Sequence, residues 1–251
     1  MKYKALMLDI DGTVSPNQSD GIPSPKVTEA IAKISSNIHV SLVTGRPLNI
    51  AKPIIDHLKL SGPCIVTDGT QIFDPISKEF VFEVPMKSHA VQDAYELLRQ
   101  YDVQIFVNDG EKEYEYTGGP FPKKVLILFV PSIPKQTADV LIKPLQKLSS
   151  INAYKGLDWV PGREYIVISD INGSKLHGIV EVAKILGIQT HEMIGVGDGY
   201  NDFPLLMACG LKIAMGNAVP ELKAIADFIA PSVEEDGVAT VIDKFILNNH
   251  V

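Results

Sequence analysis

The feature that most constrains this fold is the alternation, over the first seventy or so residues, of short apolar runs with helical periods. Ala5–Leu8 is an unbroken apolar run that reads as a buried strand, and Ser24 and Pro25 then supply a helix N-cap and first helical residue. Val27, Ala30, Ile31 and Ile34 follow at helix spacing, which gives that helix one apolar face. Residues 39–43 form the next strand. Pro47 opens a second helix with Ile50, Ile54, Ile55 and Leu58 on one face, and Pro53 inside it removes a hydrogen bond and predicts a kink. A third apolar strand, 64–67, completes the series. Strand, helix, strand, helix, strand predicts a parallel sheet with crossover helices. Such sheets bind ligands at the carboxyl ends of their strands, so function is to be sought just past each strand.

From about Phe80 to Ile168 the pattern changes. A helix is predicted over 88–100, strands near 103–107 and 125–130, a helix near 134–148, and strands around 151–154 and 164–168. Turn signals such as Asn108-Asp109-Gly110 and Thr117-Gly118-Gly119-Pro120 separate these pieces. The first pattern then resumes with a helix carrying Leu176, Ile179, Val180, Ala183 and Leu186, a strand over 193–196, a helix from Asn201, a strand over 211–215 and a last helix from about Gly237. The expected fold class is therefore α/β, with a Rossmann-like parallel-sheet core in two segments, 1–80 and 169–251. An inserted α+β domain over 81–168 interrupts it.

A net charge of −7 argues against a nucleic-acid partner, because polyanion binding leans on clustered Lys and Arg. A small phosphorylated metabolite needs only a local positive site, which a metal ion and one or two cations supply. No stretch reaches the roughly 18 apolar residues of a membrane span, so no membrane partner is expected. Cys64 and Cys209 each sit inside an apolar run and read as buried thiols in a reducing compartment. With no secretory pattern before Asp9, the expected location is cytoplasmic.

Asp9-Ile10-Asp11-Gly12-Thr13 directly follows the first strand and carries the strongest chemical signal. Two carboxylates at i and i+2, with a glycine that permits a sharp turn, can both face the strand-end crevice. One can attack phosphorus and form an acyl phosphate, while the other handles protons. Thr44-Gly45-Arg46 follows the second strand and offers a hydroxyl and a close backbone to phosphoryl oxygens. Gly197-Asp198-Gly199-Tyr200-Asn201-Asp202 follows another strand and adds two carboxylates and an amide. Four carboxylates in one crevice would raise one another's pKa unless a cation were present, and an oxygen-rich set of this kind suits Mg²⁺. Lys175 opens the helix just after the insertion, where it can neutralise a phosphoryl oxygen.

Asp9-x-Asp11-Gly12-Thr13, Thr44-Gly45-Arg46, Ser174-Lys175 and Gly197-Asp198-x-x-Asn201-Asp202 together resemble the four ordered motifs of the haloacid dehalogenase superfamily, and more narrowly its Cof-like phosphatases. Met215-Gly216-Asn217-Ala218 is similar to that group as well. The resemblance implies a Mg²⁺-dependent phosphatase with an α/β cap between its second and third motifs, hydrolysing a small phosphomonoester, a sugar phosphate first among the candidates. It implies Asp9 as nucleophile and metal ligand, and Asp11 as acid/base that binds the metal through its carbonyl. It further implies Thr44, Gly45 and Lys175 around the phosphoryl group, Asn201 beside it, and Asp198 and Asp202 at the metal.

Two segments depart from that pattern. Asp68-Gly69-Thr70 stands where Asn-Gly is usual, and Asp170-Ile171-Asn172-Gly173-Ser174 precedes Lys175 in place of Pro-x-Gly-Val-Ser. Asp68 is expected to serve the turn after the third strand. Trp159, Arg163, Tyr116 and His89 are candidate substrate contacts that each read individually as packing or surface residues. The alternatives are a sugar phosphomutase and a non-catalytic phosphometabolite-binding protein. The intact Asp9 and Asp11 pair argues against the second.

Overall fold

The computed structural model describes residues 2–16, 21–158 and 160–248. In chain order it contains β1 (Ala5–Leu8), α1 (Pro25–Ile34), β2 (His39–Leu42), α2 (Leu48–His57), β3 (Cys64–Val66), β4 (Gln71–Asp74) and β5 (Glu79–Glu83). There follow α3 (Ser88–Leu98), β6 (Phe106–Asn108), β7 (Glu113–Glu115), β8 (Ile127–Pro134), α4 (Lys135–Leu145), β9 (Ile151–Leu157) and β10 (Arg163–Asp170). The chain ends with α5 (Lys175–Leu186), β11 (Met193–Gly197), α6 (Phe203–Ala208), β12 (Leu211–Ala214), α7 (Pro220–Ile225), β13 (Phe228–Ile229) and α8 (Gly237–Ile242). It divides into two compact units, residues 1–81 with 175–251, and residues 82–174.

The first unit is built on a five-stranded sheet in the order β13-β12-β11-β1-β2, parallel throughout. β1 lies between β2 and β11, so the strand order reverses beside it and a crevice opens at its carboxyl end. Register places Leu8 opposite both Leu42 and Val196, which brings the three strand ends level. β1 is buried along its whole length, which is why its sequence is a continuous apolar run instead of an alternating one. Ser24 caps α1 by accepting a hydrogen bond from the Val27 N–H at 3.1 Å, and Val27, Ala30, Ile31 and Ile34 form its buried face. α2 continues through Pro53 with Ala51, Ile54 and Ile55 buried. Among the described residues no helix is long and apolar enough to cross a membrane.

The third predicted strand differs from expectation. β3 touches the parallel sheet only through one bridge, Val43 to Ile65, and pairs antiparallel with β4 in a separate three-stranded sheet, β3-β4-β5. The chain turns back at Thr67, Asp68 and Gly69, all of which hold positive φ, so a hairpin replaces another crossover. The helix expected from Asn201 begins at Phe203 instead. Asp202 is committed to the preceding loop, and Pro204 suits only the first helical turn.

The second unit is an antiparallel sheet, β7-β6-β8-β10-β9, with α3 and α4 on one face. Val91, Ala94, Leu98, Leu141 and Leu145 from the helices pack with Leu128, Val130, Ile166 and Ile168 from the strands. It is an α+β insertion with its own core. The fold is α/β, a Rossmann-like parallel-sheet core carrying that insertion.

Candidate active site

Each chemically loaded loop leaves the carboxyl end of a parallel strand of the first unit. Asp9 ends β1 and donates its N–H to the Val196 carbonyl at 3.0 Å, so it stands directly beside the loop that β11 delivers. Asp9, Asp198 and Asp202 each place a carboxylate oxygen within 4.8 Å of the others. Lys175, the first residue of α5, reaches into this group from 166 residues away. Its Nζ donates to Asp9 Oδ1 at 2.6 Å and to Asp202 Oδ1 at 2.7 Å. All three of these side chains are nearly or fully out of solvent. The second oxygen of Asp202 accepts the N–H groups of Asp198 and Gly199, both at 2.9 Å, which closes the loop after β11 into a fixed turn.

The electrostatics follow from burial and crowding. Burial raises the Asp9 pKa well above the ordinary carboxylate range, and the Asp202 charge raises it further, while Lys175 pulls the other way. Burial and then Asp202 push Asp198 up to about 7, against a hydrogen bond from Thr13. Burial disfavours the Lys175 ammonium, yet the charges of Asp202 and Asp9 more than offset this and hold it above the usual lysine value. Three carboxylates and one ammonium therefore leave an excess of negative charge. Hard oxygen donors with that excess fit a divalent cation.

Asp11 behaves differently. The sequence predicts four carboxylates converging, and the structure gathers three; the Asp11 side chain is taken by Arg46, whose Nε donates to Oδ2 at 2.9 Å and whose Nη2 donates to Oδ1. Asp11 remains close enough to Asp198 for its charge to be felt there. Thr44 is buried and accepts the Arg46 N–H on its Oγ1 at 3.1 Å. The turn after β3 backs this loop: the Asp68 N–H donates to the Thr44 carbonyl at 3.1 Å and the Thr67 N–H to the Arg46 carbonyl at 2.9 Å. A Cβ on Gly45 would lie 3.1 Å from Asp68 Oδ1, so glycine is what lets the two turns meet. Asp68 thus borders the Thr44–Gly45 loop. Asn201 is half-buried in the turn before α6, with its Oδ1 folded back against Gly199.

A model of the haloacid dehalogenase-like hydrolases matches residues 6–137 and 119–242. The chain belongs to that family. Among the relatives of this haloacid dehalogenase-like hydrolase is the 5-amino-6-(5-phospho-D-ribitylamino)uracil phosphatase YcsE of Bacillus subtilis, 24% identical over 97% of this chain and 96% of the relative. The phosphoglycolate phosphatase of Methanopyrus kandleri is 26% identical over 96% of each. The fold is also that of a solved structure, the subclass IIB sugar phosphatase BT4131. The likeness covers 96% of this chain and 98% of that one, with a TM-score of 0.78 and 21% identity.

In this hydrolase three further residues complete the site without having been assigned a role from sequence. Thr13 donates its hydroxyl to Asp198 Oδ1 at 3.2 Å. Asn217 donates to the Gly12 carbonyl at 2.8 Å and to Asp198 Oδ2 at 3.3 Å, and accepts the Val233 N–H at 2.9 Å. Arg46 is the third. All three lie in motifs visible in the sequence, but their partners are fixed only by the fold. The cap-side candidates have other uses within the second unit. Arg163 donates from Nε to Ser132 Oγ at 2.9 Å, Tyr116 stacks on Phe121 at 4.2 Å between centroids, and His89 is exposed on α3. Trp159 lies outside the described residues.

Proposed function

We propose that this protein is a Mg²⁺-dependent phosphatase that hydrolyses a small phosphomonoester, a sugar phosphate in first place, through an aspartyl-phosphate on Asp9. The observation that carries this reading is Asp9 itself, a buried carboxylate just past the end of β1, held at 2.6 Å by Lys175 and beside two further carboxylates. Relatives named for phosphoglycolate and for a phosphorylated ribitylaminouracil, and the fold of a sugar phosphatase, support a small phosphorylated substrate. The buried free thiols of Cys64 and Cys209 support a cytoplasmic setting.

Asp9, Asp198 and Asp202 are the carboxylates toward Mg²⁺, with the Asp11 carbonyl as a further oxygen. When bound, the ion neutralises the substrate's dianionic charge and the carboxylates that face it. Asp202 acts there mainly by charge, since both of its oxygens already accept hydrogen bonds.

The Asp9 carboxylate attacks phosphorus, forming a bond to it as the bond from phosphorus to the leaving oxygen breaks, and Asp11 gives that oxygen its proton. The alcohol departs. Asp11, now a carboxylate, takes a proton from water as the water oxygen attacks phosphorus, and the Asp9 carboxylate leaves, releasing inorganic phosphate. Lys175 balances the charge of Asp9 and of a phosphoryl oxygen, Thr44 and the Gly45 backbone donate to other phosphoryl oxygens, and Asn201 borders them.

Incubation with a hexose 1-phosphate and Mg²⁺ tests this function. Release of inorganic phosphate that stops on chelation is the expected result. Accumulation of the 6-phosphate without phosphate release, or full turnover after exhaustive chelation, would contradict it.

A further inference from the structure

Arg46 takes no part in the steps above, yet it holds both oxygens of the residue that moves the proton. Its Nε and Nη2 donate to Oδ2 and Oδ1 of Asp11, a planar fork facing a planar carboxylate. Such bidentate pairing fixes the plane of the carboxyl group as well as its distance, which a single hydrogen bond does not. The pair is partly solvated, with the Arg46 side chain 18% and that of Asp11 31% exposed, so its contribution to stability is small. Its geometric content is larger.

The support behind the guanidinium is rigid. The Arg46 N–H donates to Thr44 Oγ1 at 3.1 Å and its carbonyl accepts the Thr67 N–H at 2.9 Å, so the residue is tied at both ends of its peptide. Thr67 itself sits at φ +51, an uncommon conformation for a β-branched residue, and its hydroxyl donates to Gln71 Oε1 at 2.9 Å. On the far side Gly21, at φ +87, leaves the room the fork needs, since a Cβ there would lie 2.9 Å from Arg46 Nη1. The loop that presents Thr44 to the phosphoryl group therefore also presents the fork to Asp11.

We propose that Arg46 is a positioning residue that sets the orientation of the Asp11 carboxyl toward the leaving oxygen, in register with the Thr44 loop. The proposal rests on the reading of Asp11 as acid/base. The fork places one edge of the Asp11 carboxyl against the guanidinium, and the proton passes from Asp11 to the leaving oxygen as the bond to phosphorus breaks.

A leaving group that departs well without a proton separates this role from general support of the loop. Single-turnover release of the leaving group is measured with the full chain and Mg²⁺ for a hexose phosphate, whose alkoxide must be protonated, and for p-nitrophenyl phosphate, whose phenolate need not be. Arg46→Met is expected to slow the hexose phosphate on the order of 10²-fold more than p-nitrophenyl phosphate, within the range of general acid catalysis. Arg46→Lys, which keeps charge but not the fork, should recover only part of that difference. Equal slowing of the two substrates, or a raised KM with kcat intact, would overturn the proposal and place Arg46 with phosphoryl binding or loop support. Asp11→Asn provides the reference. If it too slows both substrates equally, the acid/base reading of Asp11 fails; if it discriminates and Arg46→Met does not, the Arg46 proposal alone fails.

Discussion

Asp202 holds the Lys175 ammonium at 2.7 Å with one oxygen and spends the other on the N–H groups of Asp198 and Gly199. One buried carboxylate thereby places both the cation that faces Asp9 and the loop that carries Asp198. Its replacement should be costly twice over. Asp202→Asn removes one charge of a buried pair, a change that typically costs about 3 to 5 kcal/mol, and the low end applies because Lys175 keeps Asp9. Urea unfolding of the variant should show that loss, together with a marked fall in turnover. Wild-type stability would contradict the role.

The crowded carboxylates give stability a pH dependence of defined sign. Asp198 is pushed up to about 7 in the fold from an ordinary carboxylate value of 3.8, and Asp9 is raised in the same direction. Between those values the folded, metal-free protein binds more protons than the unfolded chain, so stability falls as pH rises. The contribution is fully present below the unfolded value and is lost as pH climbs through the folded one. Metal-free wild type should therefore lose stability relative to Asp198→Asn between about pH 4 and about pH 7, and Mg²⁺ should reverse the trend. A difference that stays flat with pH would contradict it.

Gly12 predicts a sharp steric effect. It sits at φ +78, and a Cβ on it would lie 2.2 Å from Asp198 Oδ2. Gly12→Ala combines a left-handed backbone cost of order 1–3 kcal/mol with displacement of the Asp198 carboxylate. A thermal melt should show the loss of stability. The Mg²⁺ concentration for half-maximal activity should rise about tenfold or more, as for other changes that move a metal-binding carboxylate. An alanine tolerated on both counts would show that the loop after β11 moves freely.

What the sequence disclosed here was what is local. β1 was readable because a strand buried on both faces must be a continuous apolar run, and the motif from Asp9 to Thr13 because its two carboxylates and glycine are adjacent in the chain. Residues 64–67 announced a strand, but an apolar run does not name its neighbour, and β3 turned out to pair with β4. β4 is four residues with its apolar pair adjacent, and β7 is three residues with glutamate at both ends, so neither gave a periodicity to read. The catalytic-side geometry was the least legible part. Arg46 meets Asp11 across 35 residues and Asn217 meets Gly12 across 205, and those partners follow from sheet order, which the motifs do not contain.

For Asp9 as the nucleophile the chain carries its own control, Asp68-Gly69-Thr70, which repeats the ending of the Asp9 motif. In that alignment Asp68 matches Asp11, and the position matching Asp9 is Val66, which can neither attack phosphorus nor bind a metal. Asp68 lies instead in the turn behind Thr44, at φ +56. The direct measurement is acid-quench trapping of ³²P-labelled enzyme from a labelled phosphomonoester in Asp9→Ala and Asp68→Ala. No label is expected on Asp9→Ala and retained label on Asp68→Ala, with at most weaker substrate affinity or a slower rate. Label retained on Asp9→Ala, or lost only from Asp68→Ala, would contradict it.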